Sequence, residues 1–215
     1  MHAIFFNEPI ERNFIGHIMA EVYKDRVYAP FMEGKKDLTV LDIGANIGLT
    51  SYYFSQFAKQ VISLEPSLEH FDVFTTMLKY NKIGNVMPVN KALYIKDGVL
   101  PFHHNANRTM YSLHGAVDDN SSPTEDVQCT TIKSLFDEYK LDHVDFMKLD
   151  VEGSETEIVS HSSFVEVADK IDTMVIEQHS WSGRNEHQLK DALESVGFAV
   201  SQFPNDATLW VAKHK

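Results

Sequence analysis

Two carboxylates and a glycine-containing turn near the start of the chain have the types and spacing of a nucleotide-like ligand site. Asp42 opens the run Asp-Ile-Gly-Ala-Asn-Ile-Gly over residues 42–48, in which Gly44 and Gly48 let the backbone approach a ligand closely. Glu65 ends the next apolar run, near the spacing of about 20 residues at which an acid binds a ribose diol. The run is not the G-x-G-x-x-G of dinucleotide sites, because Asp42 would repel a diphosphate and suits an ammonium group instead.

A ligand with a ribose at one end and an ammonium group at the other is S-adenosylmethionine. Each carboxylate alone has a plainer explanation: Asp42 would cap the following turn, and Glu65 would be a solvated strand end. Because both residues follow consecutive strands around one glycine turn, the pattern favours ligand binding over these structural roles.

The chain resembles the FkbM-type S-adenosylmethionine-dependent methyltransferases. Three stretches carry the resemblance in the family's order: residues 40–48, Glu65-Pro66, and the run Lys-Leu-Asp-Val-Glu-Gly-Ser-Glu over 148–155. The pattern K-x-D-x-E-G-x-E is specific to that family among Rossmann-like methyltransferases, whereas D-x-G-x-N-x-G is shared more widely. The resemblance extends from about Leu38 to the end of the chain.

The resemblance implies methyl transfer from S-adenosylmethionine to a hydroxyl of a sugar, glycan or natural-product intermediate. Carried over by position, the implied cofactor-binding residues are Asp42, Gly44, Asn46, Gly48, Glu65 and Asn90. Among these, Glu65 would bind the ribose and Asn90 would lie at the adenine edge. Asp150 and Glu152 would line the site beside the reacting methyl group.

Asp150 and Glu152 are also candidates for the base that an alcohol acceptor needs during attack. They stand two residues apart after a predicted strand, so in an extended segment they would point the same way. The alternative is that these acids favour the positive N-terminus of a helix beginning at Ser154. We assign Glu155 a helix-start role, and Lys148 a structural role that neutralises a neighbouring acid.

His179 ends the fifth core strand at the same rim and is a candidate catalytic base or substrate ligand. A lone histidine is more often a hydrogen-bonded rim residue, so both interpretations stay open. Glu177 could also reach the site. Trp181 and Arg184 would suit a sugar or an anionic substituent, or would otherwise be a packed aromatic and a solvated cation.

No metal site is predicted. The histidines at 103, 104 and 114 lack the H-x-x-x-H or H-E-x-x-H spacing of a helical site, and Asp150, Glu152 and His179 could hold Mg²⁺ only in principle. Cys129 is the single cysteine, which excludes an intramolecular disulfide and a thiolate cluster. Its place in a strand-like run predicts a buried apolar filler rather than a nucleophile.

Apolar runs that alternate with helical periodicity predict an α/β fold with a parallel sheet and helices on both faces. The resemblance implies a Rossmann-like class I methyltransferase fold with a mostly parallel seven-stranded sheet and an antiparallel last strand. Predicted strands cover 38–41, 61–64, 86–89, 127–132, 144–149, 173–176, 198–203 and 208–212. Predicted helices cover 12–24, 49–57, 133–139 and 186–196. Two more are predicted: one begins after the cap Ser67 and is stopped by Gly84, and the other opens with the capping-box pair Ser154 and Glu157.

Two segments depart from this alternation. Residues 92–96 and 99–103 flank Asp97-Gly98, a strong two-residue turn signal that predicts a β-hairpin insertion. Residues 104–126 are polar and lack periodicity, which predicts a loop that is either a functional lid or simply mobile. The predicted domains are an N-terminal helical extension over 1–36 and a methyltransferase domain over 37–215.

The 215 residues include 31 acidic and 19 basic side chains, for a formal net charge of -12. A surface of that sign disfavours nucleic acid and anionic membranes as partners, so the expected partner is a small-molecule or glycan acceptor. No apolar run approaches the ~20 residues of a membrane span. Residues 1–10 lack the pattern of a signal peptide, and a cytoplasmic location is the default expectation. The oligomeric state stays open.

Two other functions remain as alternatives. A nicotinamide-dependent oxidoreductase on a related fold is disfavoured by Asp42 and by the missing G-x-G-x-x-G pattern. A non-catalytic binding module of the methyltransferase fold is disfavoured because the candidate acids at 42, 65, 150 and 152 are all present.

Overall fold

The computed structural model describes residues 12–104, 111–112, 124–179, 186–204 and 206–215. It confirms the predicted fold class, a mixed α/β fold with a large, mostly parallel sheet of seven strands. The chain divides into two compact units, Met1–Asn90 and Lys91–Lys215. The boundary predicted between residues 36 and 37 stays a prediction. None of the helices in the described ranges combines the length and apolarity that a membrane crossing requires.

The first unit contributes three strands that end level with one another. Its elements are α1 (Arg12–Met19), a π-helical turn (Ala20–Lys24), α2 (Ala29–Met32), β1 (Leu38–Ile43), α3 (Leu49–Phe54), β2 (Ala58–Leu64), α4 (Leu68–Tyr80) and β3 (Val86–Val89). β1 pairs in parallel with β2, and β2 with β3, so that Leu64 lies opposite both Ile43 and Val89. All six residues of β1 are buried, as expected for a strand in a parallel sheet. The residues that follow the three strands therefore lie at one edge.

Helices α3 and α4 begin where the sequence predicts, whereas α2 was not predicted. Ser67 caps α4, because its hydroxyl accepts a hydrogen bond from the backbone N–H of His70. The prediction that Gly84 ends α4 is wrong, since the helix ends at Tyr80 with Asn81 as its C-cap. The N-terminal segment packs on α3 through edge-on aromatic contacts, including Tyr28 against Phe54 at a ring-centroid distance of 5.1 Å.

The second unit contributes four strands to the large sheet and also forms a smaller sheet. Its elements are β4 (Ala92–Leu93), β5 (Gly98–His104), β6 (Tyr111–Ser112), β7 (Thr124–Thr130), α5 (Ile132–Tyr139), β8 (Phe146–Leu149), α6 (Glu155–Ser160), α7 (Ser162–Val165), a 3-10 turn (Ala168–Lys170), β9 (Thr173–Glu177), α8 (Glu186–Ser195), β10 (Phe198–Phe203) and β11 (Asp206–His214). β8 and β9 are parallel with Leu149 opposite Ile176, so the residues after these strands share an edge. β11 is antiparallel to both β9 and β10, which confirms the antiparallel last strand.

The predicted pairing of the hairpin around Asp97-Gly98 is wrong. β7 lies between β4 and β5, parallel to β4 and antiparallel to β5, in a sheet of order β4-β7-β5-β6. The Asp97 carboxylate instead accepts hydrogen bonds from the Thr131 N–H at 3.0 Å and the Ser134 hydroxyl at 2.8 Å, at the start of α5. Residues 124–126, predicted as loop, belong to β7. Most of the remaining predicted loop lies outside the described residues.

Cys129 belongs to the apolar core of the smaller sheet, as predicted. It is buried and packs with Ala92, Phe102 and Val127. Burial raises the pKa of its thiol to about 11. A thiol in this environment stays protonated at neutral pH, which is the state of a packing residue rather than of a nucleophile.

Candidate active site

The turn between β1 and α3 requires a positive φ at three positions. Gly44, Asn46 and Gly48 have φ values of 82°, 53° and 85°. Asparagine tolerates this region better than most residues, and here the Asn46 Oδ1 atom accepts the backbone N–H of Ile47 at 2.7 Å. Gly48 also has no room for a side chain, because a Cβ atom would lie 2.0 Å from Phe74 Cδ2. The predicted turn residues are therefore fixed by conformation and by packing.

Asp42 lies beneath this turn and is fully buried. Its Oδ2 atom accepts hydrogen bonds from the hydroxyls of Thr50 at 2.8 Å and Ser51 at 2.6 Å. The Ser51 hydroxyl also lies 2.9 Å from that of Ser63 on β2. These hydroxyls, which the sequence reasoning missed, join β1, β2 and the first turn of α3. The geometry thus gives Asp42 a structural contact, and its predicted contact with a cofactor ammonium group stays a prediction.

Glu65 follows β2 and directs its carboxylate to the glycine turn. Its Oε2 atom accepts the backbone N–H of Asn46 at 2.8 Å, and its Oε1 atom accepts the backbone N–H of Ser67 at 2.9 Å. Each oxygen atom of an ionised carboxylate can accept a second hydrogen bond. Glu65 is therefore a fixed acceptor at the edge where β1 and β2 end, and not a solvated strand end.

Asn90, which follows β3, connects the end of that strand to the backbone at Glu65. Its Nδ2 atom donates to the carbonyl oxygens of Glu65 and Pro66, both at 2.9 Å. The structure therefore brings the predicted residues of the first unit together around one edge, with Asn90 supporting the backbone of Glu65. The predicted role of Asn90 at an adenine ring stays a prediction.

A cluster of carboxylates surrounds His179 in the second unit. His179 Nε2 lies 3.3 Å from Glu152 Oε2 and 3.8 Å from Asp150 Oδ1, and its Nδ1 atom lies 2.8 Å from Glu155 Oε1. Lys148 Nζ donates to Asp150 Oδ2 at 3.0 Å. The register of β8 and β9 places these residues at one edge, where Asp150, Glu152 and His179 lie close together; their catalytic roles stay a prediction.

Burial and charge shift the pKa values of two members of this cluster. Burial raises the pKa of the Glu152 carboxyl to about 7; Asp150 and Glu155 add to the rise, and His179 and Lys148 oppose it. Burial alone would lower the pKa of His179, but the hydrogen bond to Glu155 and the neighbouring carboxylates raise it to about 9. At neutral pH His179 is therefore a cation, whereas Glu152 is poised to exchange a proton.

The assignment of proton-transfer roles changes as a result. Glu152 has the pKa expected of a general base near neutral pH, and a protonated His179 cannot accept a proton. The ligand atoms of Asp150, Glu152 and His179 also lie within 4.8 Å of one another, a spacing that a divalent cation could use. The imidazolium already supplies positive charge at that point, and the absence of a metal stays a prediction.

The K-x-D-x-E-G-x-E run contains a second structural difference from the prediction. Ser154 is the N-cap of α6 but makes no capping hydrogen bond through its side chain, so the predicted capping box with Glu157 is wrong. Glu155 begins α6 as predicted, yet its carboxylate contacts His179 24 positions along the chain. Trp181, Arg184 and His114 lie outside the described residues.

Comparisons with known proteins identify the family and the fold. The sequence profile of the methyltransferase FkbM domain matches residues 42–200. A protein from Clostridium thermocellum, provisionally named an rRNA methylase, has 9% identity and a TM-score of 0.53, and the match covers 90% of this chain and 94% of that one. No protein with a curated description matches the chain.

Two further structures share the fold. A precorrin-6y C5,15-methyltransferase from Geobacter metallireducens has 13% identity and a TM-score of 0.53, covering 88% of this chain and 87% of that one. A methyltransferase FkbM from Methylobacillus flagellatus has 13% identity and a TM-score of 0.55, covering 85% of this chain and 45% of that one. At these identities the likeness establishes a Rossmann-like methyltransferase fold, while the profile match spans more than half of the chain. The chain therefore belongs to the FkbM methyltransferase family.

Proposed function

We propose that the chain transfers the methyl group of S-adenosylmethionine to a hydroxyl oxygen of a small acceptor, such as a sugar, a glycan or a natural-product intermediate. One observation carries the cofactor assignment. The Glu65 carboxylate is held at the glycine turn by the backbone N–H groups of Asn46 and Ser67, in a chain of the FkbM family. A carboxylate that is fixed in this way can accept hydrogen bonds from the neutral hydroxyl groups of a ribose.

The residues of the first unit fit this cofactor chemically. Glu65 would accept hydrogen bonds from the ribose hydroxyls. The backbone of Gly44 and Asn46 would contact the cofactor at the turn. Asn90 would lie at the edge of the adenine ring. When bound, S-adenosylmethionine supplies an electrophilic methyl group on a sulfonium centre. A diphosphate cofactor is disfavoured because the Glu65 carboxylate, which faces the turn, would repel a phosphate group.

The second unit supplies the proton chemistry of the proposed reaction. As the new oxygen–methyl bond formed, the methyl–sulfur bond would break and the demethylated cofactor would leave as a neutral thioether. The hydroxyl proton of the acceptor would pass to the Glu152 carboxylate, whose pKa of about 7 suits that role. His179, 3.3 Å from Glu152, keeps its own proton and orients that carboxylate. Lys148 neutralises Asp150, which limits the repulsion among the acids.

The acceptor class rests on charge and on the family. A net charge of -12 disfavours a polyanionic acceptor, so the proposal excludes nucleic acid. The likeness to a protein named as an rRNA methylase is at 9% identity and concerns the fold alone. The predicted cytoplasmic location stays a prediction.

The experiment supplies S-adenosylmethionine labelled in its methyl group together with separate sugar, glycan, natural-product and RNA acceptors. We expect label on a hydroxyl of one of the first three classes. Glu152→Gln should lower kcat by about 10²-fold or more and leave the affinity for the demethylated cofactor unchanged. Glu166→Gln, an exposed carboxylate in the same unit, is the matched control and should keep wild-type kcat.

Other results would contradict the proposal. Label on RNA alone would overturn the acceptor class, and wild-type kcat in Glu152→Gln would remove that residue as the base. Binding of NADH without binding of S-adenosylmethionine would favour an oxidoreductase. Cofactor binding without transfer to any acceptor in the panel would favour a non-catalytic module.

A further inference from the structure

Glu155 directs its carboxylate back over the loop that precedes α6. It is almost completely buried, with 1% of its surface exposed. Its Oε1 atom accepts the backbone N–H of Val151 at 3.3 Å and that of Gly153 at 2.9 Å. These two N–H groups belong to the residues on either side of Glu152. One oxygen atom of Glu155 therefore closes the loop that carries the candidate base.

This loop holds Glu152 in a backbone conformation that side-chain-bearing residues rarely adopt. The φ of Glu152 is 54°, and that of Gly153 is 101°. A non-glycine residue keeps such a conformation only where the surrounding structure imposes it. The two hydrogen bonds to Glu155 are the constraint that flanks Glu152 directly. The direction of the Glu152 side chain thus depends on Glu155.

The same oxygen atom also faces His179. His179 Nδ1 lies 2.8 Å from Glu155 Oε1, and since an ionised carboxylate only accepts hydrogen bonds, Nδ1 is the donor. A carboxylate bonded to one ring nitrogen fixes the orientation of an imidazole. The other ring nitrogen, Nε2, faces the carboxylates of three acids: Glu152 at 3.3 Å, Asp150 at 3.8 Å and Glu177 at 3.9 Å.

We propose that Glu155 is a positioning residue that sets the directions of Glu152 and His179 together through a single oxygen atom. It is not a catalytic residue, because it acts through these two side chains and not on the acceptor. The catalytic half of this inference rests on the proposed function, whereas the orientation and charge of His179 can be measured without any substrate. The helix-start role assigned from the sequence is then only part of what Glu155 does.

The test compares Glu155→Gln with Glu157→Gln, a carboxylate two positions further along α6 that accepts a hydrogen bond from Tyr94. The titration of the His179 ring is followed by NMR in the absence of ligands. Wild-type His179 should titrate near the pKa of about 9, and Glu155→Gln should lower this pKa by about 1 unit or more. Glu157→Gln should leave it unchanged.

The kinetic part of the test uses whichever acceptor supports methyl transfer. Glu155→Gln should lower kcat by about 10-fold or more and leave the affinity for the demethylated cofactor unchanged, because it misdirects the base. Glu155→Asp keeps the charge on a shorter side chain, and should retain more of the His179 shift than Glu155→Gln. A wild-type His179 that titrates near its ordinary pKa would overturn the proposal even if neither variant folds.

The two hypotheses fail in different ways. If the chain transfers no methyl group but Glu155→Gln lowers the His179 pKa, the proposed function is contradicted and the positioning role is supported. If Glu155→Gln keeps both the wild-type pKa of His179 and the wild-type kcat, the positioning role is overturned and the proposed function stands.

Discussion

The carboxylate of Glu65 accepts the backbone N–H of Asn46 at 2.8 Å, across 19 positions of the chain. This contact joins the end of β2 to the glycine turn after β1. Asn46 adopts a φ of 53° in that turn, so the N–H group it presents to Glu65 depends on a left-handed residue at this position. The proposed cofactor site is built around this pair.

We expect Glu65→Gln to weaken binding of S-adenosylmethionine by roughly 10- to 100-fold. The substitution replaces the charged acceptor of two backbone N–H groups and of the ribose with a neutral amide. Hydrogen bonds to charged groups contribute about 1.5–3 kcal/mol. Isothermal titration calorimetry measures the change. Asp72→Asn, which alters an exposed carboxylate on α4, is the matched control and should bind normally. Unchanged affinity in Glu65→Gln would remove Glu65 from the site.

Gly48→Ala should lower the free energy of unfolding by at least about 2 kcal/mol. The added Cβ atom would lie 2.0 Å from the Phe74 ring, and the φ of 85° is unfavourable for alanine. Gly84→Ala is the control, because its Cβ atom meets nothing within 4 Å; we expect a change below about 1 kcal/mol. Denaturant unfolding of both variants checks the difference, and equal stabilities would contradict the packing described for Gly48.

The rate of methyl transfer should show a bell-shaped dependence on pH. As the pH falls through about 7, Glu152 gains a proton and can no longer act as a base, so kcat/KM should fall. As the pH rises through about 9, His179 loses the charge that orients Glu152, and kcat/KM should fall again. The apparent midpoints belong to the coupled pair. A rate that keeps rising above pH 10 would contradict the role of the His179 cation.

Cys129 should react slowly with thiol reagents in the native protein. The thiol is buried in the small sheet and its pKa is raised to about 11, so little thiolate forms at pH 8. Because the chain has a single cysteine, colorimetric labelling reports this site alone. Complete and rapid labelling in denaturant is the internal control. Equally rapid labelling of the native protein would show that reagents reach the Cys129 thiol, and would contradict its burial in the core of the small sheet.

The elements around the cofactor turn could be predicted because their signals are local. The apolar run before Asp42 and the glycines at 44 and 48 are contiguous in sequence, and β1 and α3 follow from them. The cap at Ser67 is equally local, since it depends on one hydroxyl and an N–H group three residues away. These features need no information about distant parts of the chain.

Features that depend on distant residues could not be predicted in the same way. The Asp97-Gly98 pair predicted a local hairpin but carries no information about which strands pair, and β5 pairs with β7 instead of β4. The K-x-D-x-E-G-x-E run predicted a helix-start role for Glu155, whereas its partner His179 follows β9, 24 positions along the chain. The roles of Glu152 and His179 changed for a related reason, because burial raises the pKa of Glu152 and carboxylates brought together by the fold raise that of His179.

Calorimetric titration of the folded wild-type chain with S-adenosylmethionine decides whether the glycine turn and Glu65 form a cofactor site. We expect one cofactor bound per chain, displaced competitively by the demethylated cofactor and weakened by Glu65→Gln. A folded chain that shows no binding heat, or that binds equally well with Glu65→Gln, would contradict the assignment of the glycine turn and Glu65 as the cofactor site.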